Sequence, residues 1–197
     1  MSYHHWFQDA SLRATALSWD RGVAEHVQVG GCGCGGRLHR ANYPRKPRGC
    51  SELLDWEWQW RDSFCCAEEG CRKRKTPPSV RFLGRRVYLA AIVVLAAVLY
   101  SGLTDERARQ MRDLMGIPRR TLERWVAWWR EEFVQTRVWR AGRGLLVPPV
   151  DSARLPQSLA ERFGGDLAGE QLQRFLEFVS PLTTGSCRWE AGFAMGA

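Results

Sequence analysis

Two clusters of cysteines are the residues of this 197-residue chain whose types and spacing suggest chemistry. Cys32 and Cys34 lie among glycines, and Cys66 and Cys71 are separated by four residues. Two thiolates from each of two loops make four sulfur ligands, which zinc takes tetrahedrally in structural sites. We therefore expect a structural Zn²⁺ at these four residues, with Cys65 as a substitute for Cys66. A set of buried cysteines without a metal is the alternative.

The remaining cysteines and the N-terminal residues indicate the cellular compartment of the protein. His39 is a possible substitute ligand, whereas Cys50 and Cys187 stand alone and are interpreted as spare thiols. The N-terminus has no basic start followed by a long apolar run, so we predict no secretory signal. Seven cysteines in such a chain favour metal binding over disulfides and indicate a cytoplasmic location.

Basic side chains form a second pattern. The chain has 29 Lys+Arg against 21 Asp+Glu, a net charge of +8, which favours a polyanionic partner. A proline-containing basic loop precedes the second cysteine cluster, and seven basic residues lie from Arg72 to Arg86. Solvated loop charge is the alternative, but basic stretches on both sides of a metal site favour nucleic acid. The predicted phosphate contacts are Arg45, Lys46, Arg48, Arg72, Lys73, Arg74 and Lys75.

Three tryptophans alternate between these basic stretches. The period-two spacing of Trp56, Trp58 and Trp60 predicts a strand with one buried face. Stacking on unpaired RNA bases is the alternative role for these rings.

The stretch from Thr104 to Phe133 predicts two helices joined by a turn at residues 115–117. Thr104 can cap the first helix, Gly116 allows it to end, and Pro118 suits the start of the second. This arrangement is typical of a helix-turn-helix that docks in the major groove, and an ordinary helical hairpin is the alternative.

The second helix has two different faces. One is a predicted apolar stripe of residues three or four apart, namely Leu122, Trp125, Val126, Trp129 and Phe133. The other bears Arg119, Arg120 and Arg124, whose planar guanidinium groups suit guanine edges or phosphates. We expect the helix to continue through Arg140.

Two further helices are predicted. The uncharged run from Val87 to Leu103 lies at the lower limit for a membrane span, and a buried core helix is the preferred interpretation. Residues 169–179 predict an amphipathic helix that packs on the domain or pairs with another copy, and a shorter helix is expected around residues 155–163.

The order of these parts is similar to the front end of zinc-ribbon insertion-sequence transposases over residues 30–135. In that family a ribbon and a helix-turn-helix bind the terminal DNA of the element, and a separate acidic-triad nuclease domain follows. The resemblance implies that the four cysteines named above are the ribbon ligands. It also implies that the groove-facing positions are Arg119, Arg120, Glu123 and Arg124. About sixty residues remain after this region, too few for such a nuclease domain.

The expected fold class is α+β and mainly helical. We expect an N-terminal arm (1–29), a zinc-ribbon-like module (30–82), a helix-turn-helix domain (83–141) and a short helical extension with a flexible tail (142–197).

The expected function is non-enzymatic, sequence-specific binding of double-stranded DNA, as a mobile-element accessory factor or transcriptional regulator. A homodimer or a partner recombinase is possible, and no small-molecule substrate is inferred. The alternatives are a small recombinase or transposase fragment and a membrane-associated regulator anchored through residues 87–103.

Overall fold

The structure, a computed structural model, describes residues 9–45, 56–83, 88–101, 109, 117–164 and 169–183. This part of the chain is α+β and mainly helical, which confirms the predicted class. The helices are α1 (Ala10–Val29), α2 (Ala90–Ser101), α3 (Arg119–Glu131), α4 (Arg137–Gly142), α5 (Gln157–Ala160) and α6 (Glu170–Val179). The strands are β1 (Leu38–Arg40), β2 (Tyr43–Pro44), β3 (Trp60–Arg61), β4 (Phe64–Cys66) and β5 (Arg74–Lys75).

Helix α1 lies against both parts of the fold. Asp9 caps its N-terminus: the Asp9 carboxylate accepts hydrogen bonds from the backbone N–H groups of Ser11 and Leu12 at 2.8 and 3.2 Å and so satisfies two amides of the first turn. Ala16 is buried in the helical core, whereas Ala24 belongs to a second, smaller core beside the cysteines. One rigid helix therefore joins the two cores.

A small antiparallel sheet holds the second cysteine cluster. Its order is β1-β4-β5, with Leu38 opposite Cys66 and Cys65 opposite Arg74. Side chains alternate along a strand, so Phe64 and Cys66 are buried while Cys65 faces the other side. A separate pair of strands, β2 and β3, is also antiparallel.

The prediction of a strand across the alternating tryptophans is wrong. Residues Trp56–Gln59 form a 3₁₀ turn, and strand β3 begins only at Trp60. Trp58 is buried with the helical core, but Trp56 and Trp60 are exposed. The turn satisfies its hydrogen bonds locally and buries one indole of the three, an outcome that period-two spacing does not distinguish from a strand.

The helical core is built on α2, α3 and α6. The apolar run at α2 is a buried helix in its described part, as predicted, and the predicted apolar stripe of α3 is buried as well. The ring of Trp129 contacts those of Phe133 and Phe175, with centroids 4.6 and 5.9 Å apart. In the described part of the chain no helix is both long and apolar enough to span a membrane.

Helix α3 ends earlier than predicted. It stops at Glu131, a 3₁₀ turn covers Phe133–Gln135, and α4 starts afresh, so the predicted continuation through Arg140 is wrong. The hydroxyl of Thr136 accepts the backbone N–H of Trp139 at 3.2 Å and caps α4. The bend brings the rings of Phe133 and Trp139 to 5.2 Å, so both aromatics are buried together.

The C-terminal helices agree with the prediction in part. Helix α6 has the expected bounds within one residue and buries Leu172, Phe175, Leu176 and Val179. The helix expected around residues 155–163 is shorter, because only Gln157–Ala160 is α-helical and a 3₁₀ turn follows.

The helical core also receives residues from the segment that carries the cysteines. Trp58, Val80 and Phe82 belong to the same buried cluster as α2, α3 and α6. The predicted module boundary between residues 82 and 83 therefore falls within a continuous core. The first helix and turn of the predicted helix-turn-helix lie outside the described residues except for Arg109 and Ile117, as do Lys46, Arg48 and the predicted tail beyond residue 183.

A buried ion pair fixes α1 to the segment before α2. The Asp20 carboxylate accepts hydrogen bonds from the Ser79 hydroxyl at 2.6 Å, the Val80 N–H at 2.8 Å and Arg81 Nε at 2.6 Å. Arg81 also donates to the backbone carbonyl of Glu57 at 2.8 Å. Arg81 belongs to the basic stretch from Arg72 to Arg86 but was not among the predicted phosphate contacts, and the structure buries it.

Replacement of Asp20 tests how much the buried ion pair with Arg81 contributes to stability. Asp20→Ala leaves the buried Arg81 guanidinium without its closer counter-charge, because Asp62 lies farther away at 3.5 Å. We therefore expect the free energy of unfolding to fall by about 3–5 kcal/mol. Arg21→Ala is the matched control, because its ion pair with Glu57 is solvent-exposed and contributes less than about 1 kcal/mol. Urea unfolding followed by tryptophan fluorescence measures both. Equal losses in the two variants would contradict the importance of the buried pair.

Candidate metal centre

Four cysteine sulfurs converge between the end of α1 and the sheet. The Sγ atoms of Cys32, Cys34, Cys66 and Cys71 all lie within 4.8 Å of one another. Cys32 and Cys71 are 3.7 Å apart, and Cys34 and Cys66 are 3.5 Å apart. Four sulfurs bound tetrahedrally at the usual Zn–S distance of ~2.3 Å would be ~3.8 Å apart. The two loops thus bring together the four cysteines that the spacing predicted, close enough for one metal ion to be shared among them.

The first loop turns sharply because of its glycines. Gly31 and Gly35 have φ of +63° and +85°, in the left-handed region that side chains disfavour. The turn is closed by two backbone hydrogen bonds of 2.9 Å, from Cys32 N–H to the Gly36 carbonyl and from Gly35 N–H to the Cys32 carbonyl. The two sulfurs of this loop are thereby placed on the side that faces the sheet.

The second loop leaves the sheet at Cys66 and returns at β5. The carbonyl of Glu68 accepts the backbone N–H groups of Cys71 and Arg72, both at 3.0 Å. The N–H of Cys66 donates to the carbonyl of Lys73, also at 3.0 Å, and closes the base of the loop. This turn compensates for the longer C-x4-C spacing by folding the intervening residues back on themselves.

Backbone amides point at three of the four sulfurs. In each case the donor is the backbone N–H two residues after the cysteine. The N–H of Cys34 contacts the sulfur of Cys32, that of Glu68 the sulfur of Cys66, and that of Lys73 the sulfur of Cys71. An N–H donor stabilises a thiolate relative to a thiol. Each of these amides therefore favours the ionised form of the sulfur that it contacts, which is the form that binds a metal.

The surroundings shift the pKa values of Cys32, Cys66 and Cys71. The N–H of Cys34, aided by hydrogen bonds from the other thiols, lowers the pKa of Cys32 to about 7 against the opposing effect of burial. The N–H of Glu68 acts in the same direction on Cys66, but burial and the neighbouring thiols outweigh it and raise that pKa to about 12. The pKa of Cys71 is also raised despite the N–H of Lys73, chiefly by Cys34. A divalent cation would remove this conflict, because it neutralises thiolates held close together.

Gly36 leaves room for the sulfurs. A Cβ at this buried position would lie 2.8 Å from Cys66 Sγ and 3.4 Å from Cys34 Sγ. It would also lie 2.5 Å from the flexible Glu68 side chain, which can move aside, whereas the sulfurs are fixed by the loops. The cluster therefore depends on a residue without a side chain at this point.

The donor set suits a structural ion. Four thiols without disulfide partners match the Cys₄ set that zinc and iron take in tetrahedral sites. Cys66 and Cys32 are buried and Cys34 is exposed, so the cluster lies at the surface of the small core. Four protein ligands leave no open position for a substrate or water, which fits an ion that holds the fold.

Cys65 and His39 lie away from this cluster, and their prediction as substitute ligands is wrong. They face each other across β1 and β4, on the strand face opposite to Cys66. The thiol of Cys65 lies 3.5 Å from the carbonyl of Arg72 instead. Because side chains alternate along a strand, only one of the two adjacent cysteines, Cys66, can face the cluster. The spacing in the sequence did not distinguish between them.

The basic residues predicted to contact phosphate are not equivalent. The amine of Lys75 donates to the carbonyl of Gly31 at 2.6 Å and thereby fixes β5 to the first cysteine loop. Arg74 is exposed, donates to the carbonyl of Ala41 at 3.2 Å and lies over the ring of Tyr43. Arg72 and Lys73 are exposed at the second loop, and Arg45 lies beside strand β2. Sequence reasoning did not identify the structural role of Lys75.

Helix α3 presents its predicted polar face to solvent. Arg119, Arg120, Glu123 and Arg124 are all exposed, opposite the buried stripe. Arg119 and Glu123 form an ion pair of 2.8 Å one turn apart. Within the described residues, Arg120 and Arg124 make no ion pair, so their guanidinium groups are available to a partner.

Sequence reasoning missed Gly36 and Glu68 as parts of the centre. The glycine-rich composition around the first pair was a signal for Gly36, but its contact with Cys66 joins residues from separate loops. No signal in the sequence marked Glu68, whose carbonyl and N–H organise the second turn.

Comparisons with known protein families, with curated proteins and with solved structures found no match for this chain.

Substitution of single cysteines tests the ligand set. We expect Cys32→Ser, Cys34→Ser, Cys66→Ser and Cys71→Ser each to weaken the sulfur-to-metal charge-transfer absorption of the Co²⁺-loaded protein, because each removes one thiolate. Cys65→Ser is the matched control and should leave the spectrum unchanged. A spectrum altered by Cys65→Ser and retained in Cys66→Ser would contradict the ligand assignment.

Gly36→Ala tests the space beside the sulfurs. The added methyl group crowds Cys66, so we expect zinc affinity to fall by about 1–3 kcal/mol, the usual cost of overpacking. Competition with a chromophoric chelator measures the change. Gly33→Ala is the control, because a Cβ there meets nothing within 4 Å. Wild-type affinity in Gly36→Ala would show that the loops relax freely.

Proposed function

We propose that this chain is a non-enzymatic DNA-binding protein in which zinc holds a ribbon-like module and α3 contacts the major groove. The observation that carries the proposal is the amphipathic form of α3, with one face buried in the core and an arginine face in solvent. An exposed helix with basic residues near its start is the element that helix-turn-helix proteins place against base edges.

The charge of the chain supports a polyanionic partner. The net charge is +8, and exposed arginines occur both on α3 and at the second cysteine loop. Phosphate contacts from such loops provide affinity and orientation, whereas bidentate contacts from arginine to guanine provide sequence preference. We assign the first role to Arg72, Lys73 and Arg74 and the second to Arg120 and Arg124.

The four-thiol cluster supports the ribbon part of the proposal. Zinc in such a site contributes folding free energy, so it would fix the two loops and the basic residues attached to them. The resemblance of residues 30–135 to the front end of zinc-ribbon insertion-sequence transposases leads us to propose a role at a mobile element, as an accessory factor or regulator. A second copy or a recombinase is the proposed protein partner.

Arginine substitutions on α3 test the proposal. We expect Arg120→Ala and Arg124→Ala to weaken binding to a preferred duplex by about 1–3 kcal/mol each, because a bidentate contact to guanine is lost. The control is Arg174→Ala, which removes the same charge from an exposed position on another helix, α6. Fluorescence anisotropy with a duplex selected from random sequences measures all three.

The pattern across duplexes separates the possible outcomes. Loss on the selected duplex alone supports base readout, and equal loss on every duplex would reduce these residues to phosphate contacts. Unchanged binding in both α3 variants, or binding that does not weaken as salt rises, would contradict the proposal.

A further inference from the structure

The cysteine sulfurs make two contacts that run between the two loops. Cys34 Sγ lies 3.5 Å from Cys66 Sγ, and Cys32 Sγ lies 3.7 Å from Cys71 Sγ. Each pair takes one cysteine from the first loop and one from the second, and all four are free thiols. A disulfide joins its sulfurs at ~2.04 Å, so either pair has to close by only ~1.5 Å. A disulfide in either pair would therefore connect the same two loops that a shared ion connects.

Solvent reaches one member of the Cys34 and Cys66 pair. Cys34 is exposed, whereas Cys66 is fully buried in strand β4. A small oxidant in solution therefore meets the sulfur of Cys34 first, and the sulfur of Cys66 lies 3.5 Å from it. An accessible thiolate next to a resolving cysteine is the arrangement that redox-sensing cysteines have.

The loop around Cys34 leaves its side chain room to move. Gly33 and Gly35 precede and follow it, and a Cβ at either position would meet nothing within 4 Å. Cys66 is held more firmly, because β4 pairs with β1 and places Cys66 opposite Leu38. The approach of the two sulfurs thus requires movement of the Cys34 side chain on an open surface and no change in the sheet.

Cys65 is not placed to take part in this pairing. It is adjacent to Cys66 in the chain but faces the other side of β4. Its thiol contacts the carbonyl of Arg72 at 3.5 Å. Cys65 therefore provides a control thiol in the same strand.

We propose that the four-cysteine cluster is an oxidation site, at which a peroxide links Cys34 to Cys66 and the bound zinc is released. The Cys34 thiolate attacks one oxygen of hydrogen peroxide, the O–O bond breaks, and Cys34 becomes a sulfenic acid. The Cys66 thiolate then attacks the Cys34 sulfur, the S–O bond breaks and the disulfide forms. The two sulfurs give up two electrons, and the peroxide takes up two protons and leaves as two molecules of water.

The disulfide removes two of the four ligands, because the thiolate is the form of cysteine that binds a metal. A second peroxide links Cys32 to Cys71 in the same way. Both cross-links join the two loops, so we expect the oxidised chain to keep its loops together without the ion. The inference adds regulation to the proposed zinc module, and it rests on the proposed function for the identity of the ion.

The experiment starts from the zinc-loaded chain, whose zinc content is measured before hydrogen peroxide is added. A chromophoric chelator follows the released zinc, and peptide mass spectrometry identifies the disulfides. We expect loss of the bound zinc, with the link between Cys34 and Cys66 formed first. Dithiothreitol and added zinc should restore the loaded chain. Cys65→Ser is the control and should lose zinc at the wild-type rate.

The zinc content before oxidation separates two kinds of failure. A chain that binds no zinc would contradict the proposed zinc module and this inference together. A chain that binds zinc and retains it in peroxide, or that links cysteines of the same loop, would overturn this inference alone. Slower zinc loss in Cys65→Ser, loss at the same rate without peroxide, or loss that dithiothreitol does not reverse would overturn it as well.

Discussion

The four sulfurs are the constraint on which the rest of the arrangement depends. Thiolates held 3.5–3.7 Å apart repel one another, and a tetrahedral cation turns that repulsion into attraction. The segment between Cys34 and Cys66 contains strands β1, β2 and β3, so closing it also constrains where these strands lie. Lys75, which donates to the first cysteine loop, extends the same constraint to β5.

Helix α1 and a buried ion pair connect the cysteine loops and their sheet to the helical core. Helix α1 contributes Ala24 to the core beside the cysteines and Ala16 to the helical core, and the buried pair of Asp20 and Arg81 anchors it between them. Arg81 also contacts the 3₁₀ turn at Trp56–Gln59, because its guanidinium carbon lies 6.0 Å from the centroid of the Trp58 ring. The cysteine loops and α3 thus belong to a structure whose parts share buried contacts.

The sequence revealed those features that follow from local spacing. Helical periodicity predicted the buried stripe of α3 and the amphipathic α6, and cysteine spacing predicted which sulfurs meet. Prediction from the sequence failed where the contact that decides a residue's position joins residues far apart in the chain. It also failed where a strand and a 3₁₀ turn fit the same spacing. Arg81 appeared to be one more basic loop residue because its partner Asp20 lies 61 positions away. The alternating tryptophans suggested a strand, in which all three rings would lie on one face. In the 3₁₀ turn only Trp58 is buried, and this difference is not visible in the spacing.

The most direct test of the account is the zinc content of the purified chain together with its stability after chelation. Elemental analysis should give one zinc per chain, and removal of the ion should lower the unfolding temperature and abolish the order of both cysteine loops in amide hydrogen exchange. A chain that is purified without metal, does not bind added zinc and protects both loops from exchange would contradict the claim that a cation organises this fold.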